Sequence, residues 1–272
     1  KGSLKQPIVK ATAVGKNIKL PWLSLDALSA NIDLGADASA PANVQVELDN
    51  LRAQAHYIKS IKLLSQGTIA NQKINGSLVM PKVTLNTQLA GGITQQQWQG
   101  ELQKLNINTT DFGNWQLKQR AKLMLKPNNV SLANTCLVKQ SESVCGGLTW
   151  QAQHMLQASL KSSGLNAGML SAFFPNNLKI DAPIDIDMNI DSNVDGKQSG
   201  YAKVVIPQGK VAYTYKGHTQ LFAIKNSSIV SQLSSAGTNT QINAATDPNQ
   251  TLTGTINLPQ FMLIKGWNPK QS

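Results

Sequence analysis

"APIDIDMNIDSNVDG", residues Ala182 to Gly196, places Asp185, Asp187, Asn189, Asp191 and Asp195 at the spacing of a calcium loop. Ile184, Ile186, Met188 and Ile190 fill the gaps just as regularly. An EF-hand loop starting at Asp185 needs glycine at its sixth position for a sharp turn and glutamate at its twelfth as a bidentate ligand. The chain supplies Ile190 and Gly196 there. Both requirements fail, so no metal site is expected. What remains is a strand with one wet face and one greasy face.

The same period of two recurs along the chain. In "WQLKQRAKLML" Trp115, Leu117, Ala121, Leu123 and Leu125 fall on one side, with Lys118, Arg120 and Lys122 on the other. "INGSLVM" repeats the pattern with Ile74, Leu78 and Met80, and "VTLNTQL" with Val83, Leu85 and Leu89. "NVQVELDN" offers Val44, Val46 and Leu48, and "LTGTINL" offers Leu252, Ile256 and Leu258. Breaks fall at Gly, Asn and Pro, as in "LKPNN", "VDGKQSG" and "TDPNQ". Roughly twenty such runs are countable, most of them apolar on one face only, as antiparallel sheets with one solvated face are.

Composition agrees. Charged residues make up only 14% of the 272, and Asn, Gln, Ser and Thr carry most of the polarity. Exposed strand faces suit that balance better than solvent helices, which favour Glu, Lys and Arg. No run approaches the roughly 18 apolar residues of a membrane helix. No basic, apolar, small-residue leader opens the chain. Its abrupt start at "KGSLKQ" suggests a piece of something longer. The net charge of +11 raises the question of nucleic acid, yet Arg52 and Arg120 are the only arginines and aromatics are 5%. Nucleic-acid readers rely on arginine clusters and stacking rings. Single lysines scattered along strands are solvent-facing instead, so no nucleic-acid partner is expected. A general attraction to anionic surfaces, lipid headgroups included, fits the charge.

One segment departs from the β pattern. In "GLNAGMLSAFFPNN" Asn166 can cap a short helix and Pro175 can stop it. Met169, Leu170, Phe173 and Phe174 would form a single apolar stripe on it. Such a helix either packs into a sheet core or sits over a groove. Catalytic signals are missing: His56, His154 and His218 stand alone, and no G-x-S-x-G, P-loop, H-E-x-x-H or C-x-x-C occurs. "AGGI" around Gly91 and Gly92 reads as a hairpin turn. Nothing points to an enzyme or a cofactor.

So much one-sided strand with so little helix leaves an apolar face to be covered. A second sheet, closure into a barrel or solenoid, or a curled trough holding a nonprotein apolar ligand would each do it. A lining rich in Ile, Leu, Val, Met and Ala and poor in aromatics favours the trough. The expected fold is therefore all-β: one elongated, curled antiparallel sheet over 1–272 with an apolar concave face, one short helix near 166–174, and a sub-boundary near 160–180. The expected lining is Trp115, Leu117, Leu123, Leu125, Ile184, Ile186, Met188, Ile190, Leu252 and Ile256, with acyl chains against it.

Cys136 and Cys145 stand in "NTCLVKQSESVCGG". A reducing compartment leaves them as thiols; an oxidising one joins them, stabilising the fold by roughly 2.5–3 kcal/mol through the unfolded chain. Trp98 to Trp150 resembles the TamB family of large periplasmic proteins. There, W-x-G-x-L is followed by G-x-W-x-L, a Cys-bearing strand, and a second Cys before an aromatic. The matching residues are Trp98, Gly100 and Leu102, then Gly113, Trp115 and Leu117, then Cys136, Cys145 and Trp150. Gln72-Lys73 stands where relatives commonly carry His, and Ala182 where glycine is usual.

The resemblance implies a periplasmic segment of an inner-membrane-anchored protein, partnered by TamA, an outer-membrane barrel of the Omp85 class. It implies a taco-shaped sheet, phospholipid movement toward the outer membrane, and a Cys136–Cys145 disulfide. Two rivals stand beside lipid transport. A chaperone-like module would pair its sheet edges with unfolded outer-membrane strands. A closed sandwich would have a fully packed core and retain no lipid.

Overall fold

The computed structural model describes residues 8–53, 56–152, 155–173, 175–193, 197–247 and 250–259. His154, Phe174 and Asp195, singled out above, lie outside the described residues. Contacts divide the chain into two units, residues 1–139 and 140–272. All described strand pairings are antiparallel, and no helix among the described residues is long and apolar enough to cross a membrane.

In the first unit β1 (Val9–Leu20), β2 (Leu23–Leu34), β3 (Ala42–Ala53), β4 (His56–Thr68), β5 (Asn71–Val79), β6 (Val83–Thr94) and β7 (Gln97–Thr109) form a meander. Each pairs with the next. β8 (Gly113–Leu117) and β9 (Ala121–Lys126) then share β7, one along each half, and β10 (Asn129–Lys139) pairs with both. The run Trp115–Leu125 is thus two strands with a break at 118–120, where one continuous alternation was expected. The second unit holds β11 (Glu142–Gln151), β12 (Met155–Asn166), β13 (Leu178–Asp181), β14 (Pro183–Asn193), β15 (Gln198–Tyr215), β16 (His218–Ser234), β17 (Gly237–Asp247) and β18 (Gln250–Pro259). β12 pairs with β11 and β14; β13 and β14 share β15; β16, β17 and β18 follow in turn.

The turns explain one misreading. Gly91 and Gly92 lie inside β6, and the hairpin turn after it is Gln95-Gln96, with φ of 51° and 62°. Two left-handed residues between the paired Thr94 and Gln97 match the twist of the strands they join. The glycines serve close approach instead. A Cβ on Gly91 would meet the Trp98 ring at 2.8 Å, and one on Gly100 would meet it at 2.6 Å. The indole therefore covers the Gly91–Gly100 pair, which accounts physically for the W-x-G spacing.

Strict alternation also slips once within the long strands. In β3 the shielded residues are Ala42, Val44, Val46 and Leu48, and then Leu51 and Ala53. β2 slips likewise, from Leu23 and Leu25 to Leu28, Ala30 and Ile32. Asn17 in β1 and Asn50 in β3 mark the slip, with φ of 51° and 54°. A left-handed residue inside a strand turns the chain by half a pleat, so the greasy side stays on one side. Asparagine tolerates that conformation better than branched residues do. The Asn50 amide donates to Asp26 at 2.9 Å and accepts the Tyr57 hydroxyl at 2.6 Å. Asn50→Val should therefore destabilise by about 2–3 kcal/mol, from left-handed strain plus the lost bonds, and Asn50→Gly by about 1. Urea midpoints of the two variants check this.

Ion pairs decorate the outer faces. Lys10–Asp33 at 3.3 Å and Lys62–Glu47 at 3.5 Å join register partners across neighbouring strands. Exposed pairs contribute at most about 1 kcal/mol each. The Gln45 amide, followed by Lys62, holds the Glu47 carboxyl below its ordinary value. Hydrogen-bonded ladders and the apolar faces carry the fold.

Candidate functional site

Residues paired across an antiparallel ladder point to the same face. Following the registers, Gly15, Leu28, Leu48, Ile61, Leu78, Leu85, Ile107 and Trp115 form one uninterrupted row across β1 to β8. At about 4.8 Å per strand it runs roughly 34 Å. In the second unit Val144, Ser162, Ile186, Val204, Ile229, Ile242 and Gly254 form an equivalent row through β11, β12, β14, β15, β16, β17 and β18.

The expected lining residues fall on these faces. Trp115 pairs with Ile107, Leu123 with Gly100 and Leu125 with Trp98, while Leu117 is two residues along β8 from Trp115. Leu117 and Leu123 face Leu137 and Leu132 of β10. Ile184, Ile186, Met188 and Ile190 pair with Leu165, Ser162, Leu160 and Ala158. Leu252 faces Ala244 and Ile256 faces Thr240, on the Ile242 side of β17. Each unit gathers its own set: four residues in the first, six in the second. Leu28, Ile61, Ile107, Val204, Ile229 and Ile242 join them through hairpin register, which alternation within a single strand does not reveal.

These faces are not packed shut. Among the described residues no large side chain is fully buried. Trp115 and Ile184 are buried, at 6% and 2% exposure, whereas Leu125 is 40% and Leu252 is 70% exposed. Of the buried polar residues Ser65, Gln72, Ser162, Gln198 and Ser227, all but Gln198, whose side-chain oxygen has no partner among the described residues, bond to their own chain. The Ser65 hydroxyl donates to the Ala42 carbonyl at 3.1 Å, and the Gln72 carbonyl oxygen accepts the Trp98 indole N–H at 3.1 Å. Ser162 accepts the Ile186 N–H and Ser227 the Ala245 N–H, each at 3.1 Å. A satisfied hydroxyl makes a dry surface; a free one would hold water.

Across the sheet, Asp185, Asp187, Asn189 and Asp191 lie on the opposite face of β14. Asp187 sits in register between Lys161 and Lys203 and accepts the Tyr201 hydroxyl at 2.8 Å. That bond raises the Tyr201 phenol above its ordinary value. The acids serve cross-strand partners. No group of three or more His, Cys, Asp or Glu gathers to hold a metal among the described residues.

Cys136 and Cys145, the chain's only cysteines, are joined in a disulfide. The helix forms at Ala167–Phe173 as a 3-10 helix, its start capped by Asn166, whose side-chain oxygen accepts the Gly168 N–H at 2.7 Å. With three residues per turn, the α-helical stripe expected of Met169, Leu170 and Phe173 does not apply. Trp115 anchors the first unit's lining: its indole N–H donates to the Phe112 carbonyl at 3.2 Å, and Lys139 lies 5.3 Å from its ring centre.

Antiparallel meanders that keep a hydrocarbon face on one side, with most of their buried polar residues bonded internally, define an all-β protein built around apolar sheet surfaces. Over residues 1–263 the chain matches the family described as TamB, N-terminal domain. The chain belongs to the TamB family. No curated protein and no solved structure matches it.

Proposed function

We propose that each unit's apolar face is a track for phospholipid acyl chains. The chain would act in the periplasm, as part of an inner-membrane-anchored protein that carries phospholipid toward the outer membrane with a TamA-type barrel. The observation that carries this reading is the mostly aliphatic row that register builds across successive strands of each unit, on faces where Leu63, Leu125, Ile229 and Ile256 are left exposed. At about 25 cal/mol per Å² of apolar area removed from water, an acyl chain gains several kcal/mol on such a surface. Because the face continues from strand to strand, a chain slides without giving that back at each step. Headgroups stay at the wetter margins.

A photo-crosslinking residue at Leu123 or Ile186 is expected to capture phospholipid in the full-length protein, while the same residue at Lys122 or Asp187, on the opposite faces, captures little. Equal labelling of both faces would sink the proposal. Strand assembly along free edges is the rival; it draws on β18, every residue of which is exposed. That reading predicts that Thr255→Pro abolishes function, whereas conduction predicts unchanged lipid capture at Ile186.

A further inference from the structure

The far end of the β15–β16 hairpin has surface chemistry that a lipid track does not need. Every residue from Tyr213 to Ala223 is exposed, including Leu221 at 71%, Tyr215 at 59% and Phe222 at 42%. The end is nevertheless well built. Lys216 and Gly217, with φ of 47° and 81°, make a two-residue turn between the paired Tyr215 and His218. The Thr214 and Thr219 hydroxyls bond each other at 2.9 Å. Lys216 lies 5.4 Å from the centre of the Tyr215 ring. From Gly196 to Thr246 the sequence holds five lysines, at 197, 203, 210, 216 and 225, and no Asp or Glu.

We infer that this hairpin end docks on an anionic phospholipid bilayer surface. Amphipathic tyrosines and a phenylalanine suit the boundary between headgroups and hydrocarbon. Leu221 supplies apolar reach, and lysines extend along it to the phosphate layer. Past the Leu178–Tyr213 pair each arm continues for two residues to the turn, about 7 Å of strand. That matches the roughly 5–10 Å depth of interfacial insertion and is far short of crossing. Backbone groups of the two arms satisfy each other through the Tyr213–Gln220 and Tyr215–His218 register, so insertion strands few of them. The lysine-only charge, with no arginine in the segment, favours a diffuse anionic surface over bidentate phosphate recognition in nucleic acid.

Flotation of the protein with vesicles of phosphatidylcholine and phosphatidylglycerol tests this. Capture is expected to be strong and to weaken in pure phosphatidylcholine. Tyr215→Ser/Leu221→Ser/Phe222→Ser should weaken capture at least about 30-fold. Lys210→Ser and Lys216→Ser should cost about five-fold each at low salt. Asn189→Ser, outside both the hairpin end and the track face, should leave capture intact. A crosslinker at Leu221 is expected to label phosphatidylglycerol, and one at Asn189 is not. Unchanged flotation of the folded triple variant, or Leu221 labelling confined to protein, would overturn the inference; if that variant misfolds, absent lipid labelling at Leu221 would do so.

Discussion

If the apolar faces conduct acyl chains, replacing Ile186 by aspartate is expected to lower lipid passage through the full-length protein roughly 30- to 150-fold. Ile186 stands mid-row, between Ser162 and Val204, with Ile229 one strand further. A carboxylate there forces each passing acyl chain to strip water from a charge. Placing aspartate in hydrocarbon costs about 2–3 kcal/mol, and about 1.4 kcal/mol is ten-fold in rate. The half-buried position keeps the cost to folding smaller than the cost to passage. Asn189→Asp adds the same charge to the outer face of the same strand and should leave passage within about two-fold. A lipid-transfer assay with both variants, each checked for fold by circular dichroism, decides the matter. Undiminished passage in folded Ile186→Asp protein would remove the support for conduction.

Trp115→Ala is the largest expected stability change, about 3–4 kcal/mol. Its indole is buried against Ile107 at the end of the longest apolar row and donates to the Phe112 carbonyl. Trp115→Phe keeps most of the area and loses the hydrogen bond, for about 1–1.5 kcal/mol. Leu252→Ala, at a side chain largely in water already, should cost less than about 0.5 kcal/mol. Urea unfolding of the three variants measures this gradient. Equal losses at Trp115 and Leu252 would mean that the two faces are covered alike, contrary to their exposures.

In β14 the side that carries the aliphatic residues was legible residue by residue. Ile184, Ile186, Met188 and Ile190 were readable as one face because branched and unbranched aliphatics alternate there with Asp and Asn. The Asn50 slip went unread, although Val44, Val46 and Leu48 are even-numbered and Leu51 and Ala53 odd. A strict period of two passes over that change. Gln95-Gln96 left no signal, because glutamine carries no turn preference; the turn arises from the pairing of Thr94 with Gln97. Gly91-Gly92 misled for the complementary reason. Glycine marks close approach as often as it marks a turn, and only the Trp98 ring lying over Gly91 distinguishes the two.

From its own order of residues the chain determined an all-β fold, the wet and greasy sides of its strands, the capped short helix and, through the paired Trp and Cys motif, its family. Tertiary structure alone decided which strands neighbour which, and therefore that Leu28, Ile61 and Ile107 share a row with Trp115. It also decided that Ser162 and Gln72 face inward without wetting the surface. The physical reason is that alternation is local, set by each residue's pleat, whereas register is fixed by turns and by partners dozens of residues away. A side chain's face is written in its neighbours along the chain; its company across the sheet is not.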